Sequence, residues 1–259
     1  MTQVTDEQVL KPLSWGPTLI IFLITAVVLY VAHTIVAPAY MAATGQPYLV
    51  AYLIVWVTTM GLVSAAVLIA YKGEGRPFTR QAFGARHRLY RVQGADWLWL
   101  LGMFVFSLAT YSALSFTATW LASMPLFAPH PAFPPDLGPG TAGALVPGVL
   151  FGMPLKGQWW LILVYAIGWL LNVIGEELWY RGWMLPRQEL AFGKHAWLIN
   201  ALMFTFQHTF QPWNYLAMLP GSLFVVYAAQ RRCNTSLSLI WHSVLNVSLL
   251  LFIIQGVIG

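Results

Sequence analysis

Two adjacent carboxylates, Glu176 and Glu177, stand inside the apolar stretch 159–183, with Arg181 one turn further on. A charged side chain at the centre of a bilayer costs about 2.5–3.5 kcal/mol on insertion scales. Only 8% of this chain is charged, so two neighbouring acids in such a run point to a reaction centre facing a protein interior or a water-filled cavity. Histidines occupy comparable settings: His208 closes the run Phe204-Thr205-Phe206-Gln207-His208, and His242 precedes Asn246 by four residues. That spacing puts His242 and Asn246 on one helix face.

Helix geometry divides the two acids. Glu177 and Arg181 are four apart, in the favourable order for an ion pair. Glu176 is rotated about 100° away and shares a face with Asn172, Trp179 and Tyr180. Arg181 then neutralises Glu177 and leaves Glu176 free as a general base. The alternative is that both acids only brace the helix end against Arg181, Arg187 and Lys194.

The residue types narrow the chemistry. A Ser–His–Asp triad lacks its acid, because no Asp follows residue 136. The single cysteine, Cys233, excludes an intramolecular disulfide, and its place beside Arg231 and Arg232 removes it as a nucleophile among the acids. Zinc held by Glu and two His is compatible by ligand type, but the HExxH spacing is absent. What remains needs no cofactor: a carboxylate that activates water. Glu176 would take a proton from water, and His208 would orient that water or share the proton. His242 and Asn246 would donate hydrogen bonds to the oxyanion on an attacked carbonyl. His33, His87, His130 and His195 are read as structural, His33 least securely because it lies within an apolar run.

These residues need a bundle to position them. The 259 residues are 59% hydrophobic and include 13 tryptophans, a composition of integral membrane proteins. At about 20 residues per span, segments 16–40, 47–71, 95–122, 159–183, 195–211, 213–230 and 235–257 read as transmembrane helices. The fold class expected is therefore all-α, a polytopic bundle of about seven helices forming one domain over 1–259. Helices within 1–122 act as scaffold, and those within 159–250 carry the reactive groups. An eighth element would fall in 140–155, where Pro147, Gly148 and Gly152 suit a re-entrant or interfacial segment better than a span. Pro220-Gly221 should kink or break the sixth span. The proline-rich connection 123–158 reads as an inert outer loop, or else as a lid.

Seven spans collect Lys11, Lys72, Arg76, Arg80, Arg86, Arg88, Arg91, Arg181, Arg187, Lys194, Arg231 and Arg232 on one side and only Lys156 on the other. The positive-inside rule makes the rich side cytoplasmic, with the N-terminus inside. The net charge of +5 then needs no nucleic-acid partner. Loop 72–94 would rest against anionic headgroups.

At these residues the chain resembles the CPBP family, the CAAX-processing and bacteriocin-processing membrane proteins that include the Ras-converting endopeptidase. Its three motifs are Glu-Glu followed after three residues by Arg, Phe four before His, and His four before Asn. Here they are Glu176-Glu177 to Arg181, Phe204 to His208, and His242 to Asn246, in order and on separate spans, over roughly 159–250. The resemblance implies a glutamate-dependent intramembrane endopeptidase of a bacterial or archaeal plasma membrane, acting on a peptide or protein within the bilayer. It implies Glu176 as base with His208 assisting, an oxyanion site of His242 and Asn246, and structural support from Glu177 and Arg181. The family was once held to be metal-dependent, so zinc stays open. Some relatives are linked to immunity or sorting, so a non-proteolytic binding protein is the main alternative. A proton-coupled transporter using the same acid and histidines is a further one.

Overall fold

Long apolar runs without breakers become helices in lipid, because a backbone shielded from water must satisfy its own hydrogen bonds. In the computed structural model, which describes residues 10–139 and 146–259, those runs are α1 (Trp15–Val31), α2 (Ala37–Thr44), α3 (Tyr48–Gly73), α4 (Arg80–Arg86), α5 (Asp96–Leu114) and α6 (Phe116–Ala122). They continue with α7 (Trp159–Glu176), α8 (Leu185–Phe192), α9 (Ala196–Phe206), α10 (Tyr215–Arg232) and α11 (Thr235–Ile258). A π-helical turn, Ala32–Val36, joins α1 to α2, and a second, Glu177–Met184, joins α7 to α8. Large apolar side chains such as Leu19, Leu23, Leu98, Leu163 and Leu251 are exposed on the outside of the bundle, as lipid-facing residues would be.

Among the described residues, five segments are long and apolar enough to cross a bilayer: Trp15–Thr44, Tyr48–Gly73, Asp96–Leu114, Trp159–Phe206 and Thr235–Ile258. The two further spans expected at 195–211 and 213–230 do not meet that standard. The 11 residues of α9 extend about 16 Å, roughly half the hydrocarbon thickness. They also continue the helical run from Trp159, with only short irregular turns between. The 18 residues of α10 are long enough, but Pro220, Gly221, Gln230, Arg231 and Arg232 dilute their apolar character. Of the kink or break expected at Pro220, the break does not occur. Helix α10 runs through it, and Gly221 lets α5 come close: a Cβ there would lie 3.1 Å from Ser107 Oγ.

The pairing of α7 with α3 places the acids. Gly168 and Gly175 lie two turns apart on one face of α7. A Cβ at Gly168 would sit 2.5 Å from the Trp56 ring, and one at Gly175 would sit 2.5 Å from Ser64 Oγ. Small residues at such a seam let backbones approach, the device membrane helices use where burial of apolar surface drives nothing. Ser64 Oγ then donates to the Leu171 carbonyl at 3.0 Å.

Of the segment 140–155, residues 140–145 lie outside the described residues. The remainder holds a short antiparallel hairpin, β1 (Val149–Leu150) with β2 (Met153–Pro154). Phe151 (φ +48°) and Gly152 (φ +74°) turn it, the left-handed pair of a tight hairpin. Leu150, Phe151 and Leu155 bury themselves against Tyr48, Leu161, Ile253 and Val257, so this part of the proline-rich loop plugs one end of the bundle.

At the opposite end, loop 72–94 is only partly a headgroup-facing surface. Lys72, Arg80 and Arg91 are exposed, but Arg86 is buried and Arg88 pairs with Glu189 through two 2.7 Å bonds. Arg86 donates to both oxygens of Glu74 at 2.7 Å and to the Gly182 carbonyl at 3.0 Å. Arg187 adds a further 2.7 Å bond to Glu74. These arginines turn inward because Glu74 and the carbonyls of the second π-turn would otherwise lack donors.

Candidate active site

The second π-turn begins at the glutamates themselves. Glu176 ends α7 and Glu177 opens the wider turn, and both are buried. Glu177 Oε2 lies 3.6 Å from Arg181 Nε, an ion pair one turn long as the spacing required. Widening the helix changes the rest of that face. Trp179 stacks on Trp183 at 4.7 Å, Tyr180 packs between Phe22 and Phe204, and neither lines the cavity that Glu176 lines. Asn172, one turn before Glu176 on the regular part of α7, does.

Glu176, Glu177 and Arg181 line one cavity of about 640 Å³ together with Phe204, His208, His242 and Asn246. Three chain segments thus converge there. The spacing from Phe204 to His208 has a local cause. The Phe204 carbonyl lies 2.8 Å from His208 Nδ1, and a carbonyl can only accept. Nδ1 therefore carries a proton, and a neutral His208 keeps Nε2 bare. The Phe204 ring meanwhile lies 3.8 Å under the Arg181 guanidinium and edge-on to the His208 ring. One residue thereby seats both the arginine and the histidine.

Helix α11 is registered from its first residue. Asn234 caps it by accepting from Ser236 N at 3.1 Å, and Thr235 N donates to the Arg88 carbonyl at 2.9 Å. Two turns in, His242 is held between the acids, with Nδ1 3.0 Å from Glu177 Oε1 and Nε2 3.9 Å from Glu176 Oε2. Glu177 therefore does more than support the helix end: it also orients the ring of His242. One turn on, Asn246 Nδ2 donates to Asn172 Oδ1 at 3.1 Å, and Asn172 Nδ2 reaches Met60 Sδ at 3.1 Å. An amide nitrogen has two hydrogens, so Asn246 keeps one for another acceptor. Among the described residues, no three His, Cys, Asp or Glu side chains are grouped closely enough to hold a metal ion.

Asn172, placed from sequence only on the face of Glu176, lines the cavity and bonds Asn246. Its signal was present, since it lies four residues before Glu176, but its partner Asn246 is 74 positions away. The first helices also reach the cavity, through Leu29, His33, Tyr52, Trp56, Met60 and Tyr111. His33, read from sequence as structural, is among them. His87 and His195 lie elsewhere: His87 is buried against Gly182, and His195 ends a short turn before α9.

Comparison with curated proteins gave no match, and comparison with solved structures gave none either. The five apolar helices mark an integral membrane protein. Every residue of the three motifs falls within residues 158–248, which match the family model described as "Type II CAAX prenyl endopeptidase Rce1-like", so this part of the chain is similar to that family, in agreement with the motifs.

Proposed function

We propose that the protein is an intramembrane endopeptidase that hydrolyses a peptide bond of a membrane-associated or lipidated substrate with water activated by Glu176. The observation that supports this best is the convergence of Glu176, His208, His242 and Asn246, from three segments of the part similar to the Rce1-like family, on one cavity.

The reaction uses each group according to its bonds. Water held between Glu176 and the bare Nε2 of His208 adds its oxygen to the substrate carbonyl carbon, and Glu176 takes the proton. The carbonyl oxygen becomes an oxyanion. It is met by the free amide hydrogen of Asn246 and by an N–H of His242. Collapse breaks the C–N bond, and the proton held by Glu176 passes to the departing amine. The products are a new carboxyl end and a free amine, with Glu176 restored. Glu177 and Arg181 set the position of His242 and need not titrate.

The chain lies in a bacterial or archaeal plasma membrane with its N-terminus in the cytoplasm, as the asymmetry of its basic residues supports. No nucleic acid takes part. The test is turnover of an internally quenched, prenylated CAAX-type peptide by the purified protein in nanodiscs. Wild type should cleave it and Glu176→Gln should not, with both folded. Turnover retained by Glu176→Gln would overturn the mechanism. A folded wild type that binds the peptide without cleaving it would indicate a binding protein.

A further inference from the structure

His33 is buried, yet its Nδ1 has no hydrogen-bond partner among the described residues. His87 and His208, each just past a helix end, and His242 within α11 all give Nδ1 a partner, that of His242 being Glu177 Oε1 at 3.0 Å. His87 and His208 each place Nδ1 within 3.0 Å of the carbonyl four residues earlier. His33 sits in the π-turn Ala32–Val36 and makes no such bond. A polar group left unpaired in a dry place costs free energy, so a native structure keeps one only where something else pairs with it.

That something would arrive through the cavity. His33 lines the same space as the glutamates, at a part walled by aromatic rings: it stacks on Phe210 at 4.3 Å and lies 5.5 Å from the Tyr52 ring. Phe210 is two residues beyond His208, and Thr209 Oγ1 between them donates to the Ala26 carbonyl at 2.7 Å, tying this segment to α1. A second observation agrees. Among the described residues the chain has two π-helical turns, and both contribute to the cavity wall, one through Glu177 and Arg181, the other through His33. Such turns are rare, and they occur frequently at functional sites.

We infer that His33 positions the substrate, by hydrogen bonding to a main-chain peptide group of the segment lying in the aromatic part of the cavity. A neutral imidazole offers one N–H donor and one bare nitrogen, which match the C=O and N–H of an extended peptide. The rings of Tyr52 and Phe210 then receive an apolar side chain of that segment. This rests on the proposed peptidase reading and adds to it a residue from outside the Rce1-like segment.

The probe is the quenched prenylated peptide described above, with the full-length protein in nanodiscs. His33→Phe keeps the ring contact with Phe210 and removes both nitrogens. It should raise KM about two- to tenfold, the loss expected for one neutral hydrogen bond, with kcat within about twofold. His33→Gln restores a donor and an acceptor and should recover most of the loss. The same ratio should appear in the Kd of a dye-labelled peptide measured on the Glu176→Gln background, where no turnover is needed. An unchanged KM and Kd in His33→Phe would overturn the inference. So would an equal loss of melting temperature and kcat in both variants, which would make His33 a packing residue. Turnover retained by Glu176→Gln alone would sink the mechanism and leave the His33 comparison readable.

Discussion

Two of the arginine–carboxylate groupings among the described residues, one at Glu74 and one at Glu177, are built to different standards. At the basic end, Glu74 accepts from Arg86 and Arg187 at 2.7 Å and from Arg76 at 3.1 Å, and Arg86 also caps carbonyls of the second π-turn. In the cavity, Glu177 stands 3.6 Å from Arg181, Glu176 stands 3.9 Å from His242, and both Glu177 Oε2 and Arg181 Nε lack a hydrogen bond among the described residues. In the first cluster both oxygens of Glu74 are bonded to arginine, although Arg187 Nε is left over, and the cluster holds α3, the loop beyond it and α8 together. The second keeps hydrogen-bonding capacity in reserve, which is what a site that must bind water and a carbonyl requires. The carboxylate is saturated in the first cluster and is not in the second.

The largest expected effect tests the open cluster. Glu176→Gln should reduce turnover by about 100- to 10,000-fold, the range for loss of a positioned general base, with the melting temperature nearly unchanged. If it destabilised the protein as much as a Glu74 variant, the two clusters would not differ in kind. Asn246→Ala comes next. Loss of one oxyanion donor costs about 100- to 1,000-fold in turnover, with little change in substrate affinity, because the bond matters mainly in the transition state. A loss confined to affinity would make Asn246 a substrate-positioning residue.

Glu177→Gln should affect both properties. It leaves Arg181 buried without its counter-charge, a loss of about 3–5 kcal/mol of stability, and it frees the His242 ring, so turnover of the surviving folded protein should fall as well. Activity preserved at full stability would mean that Glu177 neither orients His242 nor balances Arg181.

Glu74 separates the clusters by pH. Burial alone would raise its pKa, but the bonds from Arg86 and Arg187 outweigh this and hold the carboxyl at about 2, below its ordinary 4.5. Its contribution to stability is therefore complete above about pH 4.5 and is lost as pH falls toward 2. Glu74→Gln should lower the melting temperature at neutral pH and flatten its fall across that window, with kcat of the folded protein intact. An unaltered acid profile would show that Glu74 carries no such stabilisation. The smallest effect expected is none: extensive chelation should leave peptide turnover unchanged, because a carboxylate–water mechanism needs no ion. Activity lost on chelation and restored by zinc would replace that mechanism with a metal-dependent one.

Much of the site could be read from spacing alone, because spacing governs contacts within one turn. Glu177 meets Arg181 and Phe204 seats His208 for that reason, and the apolar runs with two acids among them settle the membrane class. Spacing fails where the helix departs from its ordinary pitch. In the π-turn at Glu177–Met184, Trp179 and Tyr180 do not line the cavity beside Glu176, and no residue type in that run announces the turn. Hydropathy likewise does not settle the number of spans, since α9 is apolar enough but covers only about half a bilayer. Contacts between distant segments are decided only in three dimensions: Asn172 with Asn246, Glu177 with His242, Arg86 with the π-turn carbonyls, and His33 at the cavity wall. The sequence by itself determined which groups could react. The tertiary structure decided which of them meet and which stay unpaired, because those outcomes depend on helix pairing and backbone widening that no local pattern encodes.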